Sequence, residues 1–164
     1  MGTPAVLGIG AVIVALVADQ ASKLAALVWL FEPRVARNVL PFFDLVPHWN
    51  RGISFGLFGS SPITASWIFS VVALVIVGFL AYWMWRARHA DTAIAFGLII
   101  GGAVGNVIDR VRFGAVIDFI HVHYGWFDWP VFNLADSFIF VGAVLLIGES
   151  LFSWRRAPDK MNER

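Results

Sequence analysis

The sequence predicts an all-α membrane protein: four transmembrane helices with a small extracytoplasmic β-rich cradle between them. Three observations carry that expectation. Hydrophobic residues make up 59% of the 164-residue chain and charged residues only 14%, against about 25% charged in soluble domains; a mean hydropathy of +0.77 agrees. The apolar residues fall into four runs, each long enough to cross a hydrocarbon core of about 30 Å at about 1.5 Å per residue. Tryptophans gather at the ends of those runs, Trp29, Trp126 and Trp129 toward one side and Trp83, Trp85 and Trp154 toward the other, as an interfacial belt requires. The length suits a single membrane domain, residues 1–164, with no separate soluble enzyme domain.

The first run begins near Pro4 and continues past Asp19 and Lys23. A secretory signal peptide needs a basic start and a small-residue cleavage site after a clean apolar core. Here the first basic residue is Lys23, so a retained helix is expected over about 5–28. The loop 29–62 follows, with Pro41, Pro47 and Pro62 and extended-looking pieces at Asn38–Phe43 and Ile53–Phe58, which suggests a small sheet or lip on the membrane. The uncharged stretch Ile63–Trp85 is the clearest span (63–85). Thr92–Ile108 begins the third (92–111), which ends where Gly114 allows a turn. In the loop 112–130, Ala115–His123 mixes β-branched and aromatic residues as a short strand does. The fourth span, about 131–152, is interrupted by Asp136 and Glu149. Gly97, Gly101, Gly102, Gly105 and Gly142 inside the spans suit close helix packing.

Orientation follows from the flanks. Arg86 and Arg88 lie between spans two and three, and Arg155, Arg156, Lys160 and Arg164 follow span four. Both groups fall on one side of a four-helix layout, so the positive-inside rule places both termini in the cytoplasm. Arg34, Arg37, Arg51 and Arg112 on the other side make that bias modest. A net charge of +1 without a basic run gives no reason to expect nucleic-acid binding. With no cysteine in the chain, thiolate catalysis, disulfides and Cys-based metal sites are excluded.

Ionisable groups in hydrocarbon cost several kcal/mol unless paired or wetted, and so mark candidate sites. Counted along the helices, Asp19 lies about 22 Å and Asp109 about 25 Å from the inner face, and Asp136 about 8 Å from the outer one. All three converge on the outer leaflet. Asn106 with Asp109, and Asn133 with Asp136, are spaced three apart and share a helix face. Asp19 and Lys23 are four apart and can pair, while Arg110 and Arg112 can counter the negative charge. The alternative for each is structural, as interhelical glue or an end cap.

Two carboxylates brought together share a proton, so one can activate water while the other polarises a carbonyl. That is aspartic-peptidase chemistry and needs no cofactor. A proton or ion relay is the rival class, although carboxylates at one depth give no path through the inner leaflet. A non-catalytic assembly or lipid-binding subunit is the third. His121 and His123 share one face of a strand, but without further ligands in zinc spacing no metal is expected there; an interfacial polar edge is the commoner explanation.

Five ordered motifs then bear on the family. They are Asp19-Gln20-Ala21-Ser22-Lys23 (DQxxK), Asn50-Arg51-Gly52-Ile53-Ser54-Phe55-Gly56 (similar to NxGxxFG), Gly101 to Arg110 (GGAxGNxxDR), Val116-Ile117-Asp118-Phe119 (VxDF) and Phe132-Asn133-Leu134-Ala135-Asp136 (FNxAD). Over almost its whole length the chain resembles the lipoprotein signal peptidases, or signal peptidase II family, which are inhibited by globomycin. The resemblance implies a catalytic dyad of Asp109 and Asp136, with Asp19, Lys23, Asn50, Gly52, Asn106, Arg110 and Asn133 supporting it or contacting substrate. It implies a prolipoprotein substrate whose cysteine already bears diacylglycerol, cleaved just before that cysteine. Membrane phospholipid is the expected surrounding, and a monomer the expected state. Asp118 lies outside the spans, where a structural salt bridge and a catalytic role are both open. Gly102 and Gly105 are expected to leave room for substrate backbone, and the 36–60 region, with Trp49, Phe55 and Phe58, to form an apolar cradle.

Overall fold

In the chain's computed structural model, residues 2–32, 34–52 and 62–155 are described, without the side chains of 62–65 and 152–155. The expected extended piece Ile53–Phe58, with the cradle residues Phe55 and Phe58, lies outside them. Four helices, α1 (Thr3–Leu30), α2 (Pro62–Arg86), α3 (Ala90–Phe113) and α4 (Leu134–Arg155), alternate with four strands, β1 (Arg37–Leu40), β2 (Phe43–Asn50), β3 (Val116–Tyr124) and β4 (Phe127–Asp128). All four helices are long and apolar enough to cross a membrane. The first three extend a little beyond the apolar runs: Pro4 opens α1, where a proline's missing N–H costs nothing, while Arg86 closes α2, Asp91 opens α3, and Arg110 and Arg112 lie in the last turn of α3, each charge complementing the helix dipole.

The fourth helix begins at Leu134, later than the expected 131. Residues before it belong to the sheet, since Phe132 exchanges backbone hydrogen bonds with Ile120. Asn133 then caps the helix.

Burial is inverted relative to a soluble bundle. In α1 the buried stripe is Ala5, Gly8, Ala15, Asp19, Lys23, Ala26 and Leu30, whereas Val14, Val17, Leu24 and Val28 are exposed. Small and polar residues face inward and large apolar ones face lipid, as expected where lipid is as apolar as a leucine core. Helix α3 packs against all three other helices. Its glycines allow this: a Cβ at Gly101 would come within 2.7 Å of the Val12 carbonyl oxygen, and one at Gly102 within 2.5 Å of that of Ala135.

The strands form one antiparallel sheet in the order β1-β2-β3-β4. The register of β2 on β3 shifts between Leu45 and His48, where Pro47 has no N–H to give to a ladder. The sheet is moored to the end of α1 by Ile117 and Phe119 packing on Ala26 and Leu30, with Trp49 and Phe31 beside them. Helix α3 stops at Gly114, whose φ of 69° is open to glycine at little cost. The chain therefore turns straight from α3 into β3, and β3 runs beneath the start of α4.

Candidate active site

Where α1, α3, β3 and α4 meet, one polar network occupies an otherwise apolar molecule. Lys23 is at its centre, 2% exposed, and makes three contacts. Its Nζ lies 2.9 Å from Asp19 Oδ2, 2.9 Å from Asp109 Oδ2 and 2.9 Å from Asn106 Oδ1. An ammonium has three donors, so Lys23 is fully used. Asp109 also accepts from the Ile117 N–H at 3.1 Å and from Gln20 Nε2 at 3.2 Å. Asp19 accepts from the Ala135 N–H at 3.0 Å, a first-turn donor that α4 cannot satisfy internally. Asp19 and Asp109 thus fasten α1, α3, β3 and α4 together through one cation.

Asn133 and Asp136 form a reciprocal cap on α4. The Asp136 N–H donates to Asn133 Oδ1 at 3.0 Å, and the Asn133 N–H donates to Asp136 Oδ2 at 3.3 Å, a capping-box arrangement. Asp136 Oδ1 accepts from Asn106 Nδ2 at 2.8 Å. The Asn133 amide divides its two protons between Asn106 Oδ1 (3.1 Å) and Asp118 Oδ1 (2.7 Å). The two asparagines therefore hold the side chains of Asp118 and Asp136 against one another's surroundings, while Lys23 is turned toward Asp19 and Asp109.

For Asp118 the sequence leaves a structural salt bridge and a catalytic role both open. The open alternative of a salt bridge there fails: among the described residues it pairs with no Lys or Arg. It is fully buried and accepts amide protons from Asn133 and, at 2.8 Å, from Asn50. Burial pushes its carboxyl up to about 7, the amide of Asn50 draws it back, and the negative charge of Asp136 pushes it up again. Asp118 and Asp136 therefore sense each other, and Asp118 retains a proton near neutrality. The sequence did carry a signal, a lone carboxylate inside the apolar strand Val116-Ile117-Asp118-Phe119.

Asn50 Oδ1 accepts from the Gly52 N–H at 2.9 Å, and Gly52 has φ 88°, so the glycine shapes the turn that presents Asn50 to Asp118. Arg110 reaches the Asn106 carbonyl oxygen at 3.4 Å and lies over the Phe69 ring. Arg112 instead lies over Phe113. The expectation that Gly102 and Gly105 leave room for substrate is corrected: a Cβ at Gly105 would strike the Asp19 carboxylate, and one at Gly102 the α4 backbone. Trp49 packs on Phe31 and Phe113, in the seam between sheet and α1. Gln20 was not anticipated as a site residue; only its place beside Asp19 in the DQxxK motif hinted at it.

Asp136 is partly exposed and borders a cavity of about 380 Å³ lined by Trp129, Phe132, Ser137, Phe140 and Val141. A carboxylate at the edge of an apolar hollow is placed to meet both water and a lipid-borne chain.

The family model of signal peptidase (SPase) II matches residues 11–152. Lipoprotein signal peptidases from Methylobacterium sp. (strain 4-46) and Beijerinckia indica are 42% and 44% identical, each aligned over 96% of this chain and 96% of the relative. A bacterial membrane enzyme solved by the in meso method at 2.3 Å superposes with a TM-score of 0.75 at 26% identity, covering 96% of this chain and 93% of that one. A second such structure, at 1.9 Å, gives a TM-score of 0.73 at 28% identity, covering 88% and 92%.

Proposed function

The chain belongs to the signal peptidase (SPase) II family, and we propose that Asp118 and Asp136, not Asp109 and Asp136, form its catalytic dyad. It is an aspartic-type membrane peptidase that removes signal peptides from lipoprotein precursors. The observation that carries the dyad is Asn133, whose side-chain amide donates to Asp118 Oδ1 and whose backbone N–H donates to Asp136 Oδ2, beside an Asp118 carboxyl that burial raises to about 7. Asp109 is an unsuitable partner because its oxygens are taken by Lys23, Gln20 and the Ile117 N–H, at 1% exposure. It acts instead with Lys23 and Asp19 as the anchor of the site.

In this reading the Asp136 carboxylate takes a proton from water, and the resulting hydroxide attacks the scissile carbonyl carbon. Asp118 gives its proton to the carbonyl oxygen, so no full charge develops there. Collapse of the tetrahedral intermediate breaks the C–N bond, with Asp136 returning its proton to the leaving amine and Asp118 recovering one from the hydroxyl. Asn106 and Asn133 are positioning residues that fix the aspartate rotamers. Asp19, Lys23, Asn50, Gly52 and Arg110 hold the frame around them.

The substrate is a prolipoprotein whose cysteine carries diacylglycerol, cleaved on the amino side of that cysteine. The apolar cavity beside Asp136 supports that choice, since its lining of Trp129, Phe132, Phe140 and Val141 suits an acyl-bearing residue. The site faces the extracytoplasmic side, both termini face the cytoplasm, and the protein works as a monomer in phospholipid. The test uses purified protein in liposomes with matched precursors, with and without diacylglycerol. Cleavage of the modified precursor alone, before its cysteine, and loss of that cleavage in Asp118→Asn and Asp136→Asn, are expected. Equal cleavage of both precursors would contradict the substrate assignment.

A further inference from the structure

A second polar cluster lies on the sheet, apart from the proposed dyad. It contains Asp44 of β2, His121 and His123 of β3, and Asp128 of β4. Asp44 is the direct cross-strand partner of His121, and Asp128 that of His123. Residues i and i+2 of a strand share a face, so the two histidines point together, with ring centres 5.1 Å apart. Asp118, an odd number of residues away on the same strand, takes the opposite face.

The contacts run diagonally. His123 Nε2 lies 3.0 Å from Asp44 Oδ2, and His121 Nε2 lies 2.6 Å from Asp128 Oδ1. One donor atom each from Asp44, His121 and His123 lie within 4.8 Å of one another. Asn38 donates to the other Asp44 oxygen, Oδ1, at 2.9 Å, which orients that carboxylate toward the histidines as second-shell groups orient metal ligands. The sequence argued against a metal because His121 and His123 had no companions in zinc spacing. Strand pairing supplies those companions from residues 44 and 128, a separation that no local motif reveals.

We propose that Asp44, His121 and His123 bind a Zn²⁺ ion that braces β2 and β3, with water as the fourth ligand and Asp128 of β4 beside His121. Zinc takes imidazole nitrogen at about 2.0–2.1 Å and carboxylate oxygen at about 2.0–2.2 Å in a tetrahedron, so ligand atoms around it sit roughly 3.3 Å from one another. The His123–Asp44 contact of 3.0 Å is already near that separation, and the donor atoms of Asp44, His121 and His123 lie within 4.8 Å of one another. Two imidazoles and one carboxylate suit zinc; calcium and magnesium prefer all-oxygen sets. His121 and His123 are 23% and 34% exposed, Asp44 14% and Asp128 75%, so an ion can enter from water without unfolding the sheet.

Calorimetric titration of ZnCl₂ into the full-length protein in detergent micelles tests this, with Co²⁺ as a spectroscopic substitute. One ion per chain with micromolar or tighter affinity is expected, together with an intense visible Co²⁺ spectrum of tetrahedral type. Loss of a second-shell partner already costs about 10–100-fold in affinity, so His121→Ala and His123→Ala should each weaken binding by at least about 100-fold. His89→Ala, outside the cluster, should leave it unchanged. Should an alanine variant fail to fold, Asp128→Asn at its exposed position gives the same reading, with weakened binding expected. The absence of stoichiometric binding, a weak octahedral Co²⁺ spectrum, or affinity undiminished in folded His121, His123 or Asp128 variants would each overturn the proposal.

Discussion

Asp109 and Asp118 are both almost free of solvent, yet among the described residues only Asp109 of the two is in direct ion-pair contact with a cation. Lys23 compensates Asp19 and Asp109 together, and removing a buried counter-ion typically costs about 3–5 kcal/mol. Lys23→Met is therefore expected to destabilise more than Asp109→Asn, whose amide oxygen still accepts from Ile117 and which costs about 1–3 kcal/mol; chemical or thermal denaturation in detergent measures both. Asp118 behaves differently. Its folded-state value of about 7 is raised from 3.8, so the folded state holds this proton more tightly than the unfolded chain. Its contribution to stability falls as pH rises from about 4 to about 7, by up to about 1.4 kcal/mol per unit, and is constant beyond. The wild-type melting temperature should decline across pH 5–7 more steeply than that of Asp118→Asn. Parallel curves would contradict the raised value. The same proton predicts that kcat/KM falls about tenfold per pH unit above roughly 7, because the acid of the dyad is then lost.

At the scale of elements, small residues on α3 decide how near the aspartates come. Gly105 faces Asp19 with no room for a methyl group, so Gly105→Ala should cost about 1–3 kcal/mol and lower activity by disturbing the Lys23 anchor, as melting and cleavage assays would record. Much of this layout was legible in the sequence. The helices follow from uninterrupted apolar runs, and β3 from its β-branched and aromatic residues. The network around Asn106, Asn133, Asp19 and Lys23 follows from polar residues three and four apart. Partner choice within it was not legible. Depth along a helix places Asp109 beside Asp136, but it gives no weight to Asp118, which reaches the site from a strand. Residue spacing shows which groups share a level, and strand register shows which of them touch. The same gap hid Asp44 and Asp128 from His121 and His123.

Taken whole, the molecule is a lipid-facing bundle with its fully buried charged groups, Asp19, Lys23, Asp109 and Asp118, drawn to one end and a sheet fastened over that end. Orientation is testable because the chain has no native cysteine. Trp126→Cys at the fully exposed hairpin tip should react with a membrane-impermeant maleimide added to intact spheroplasts, and Arg88→Cys between α2 and α3 only after lysis; the reverse pattern would invert the topology. The central claim is a division of labour, in which Asp118 and Asp136 perform the chemistry and Asp109 holds the frame. Its most direct measurement is the cleavage rate of a diacylglyceryl-modified precursor by Asp118→Asn and Asp109→Asn, each normalised to the folded fraction. The account predicts no detectable cleavage by folded Asp118→Asn and measurable residual cleavage by folded Asp109→Asn. Cleavage retained by Asp118→Asn and abolished in well-folded Asp109→Asn would contradict it.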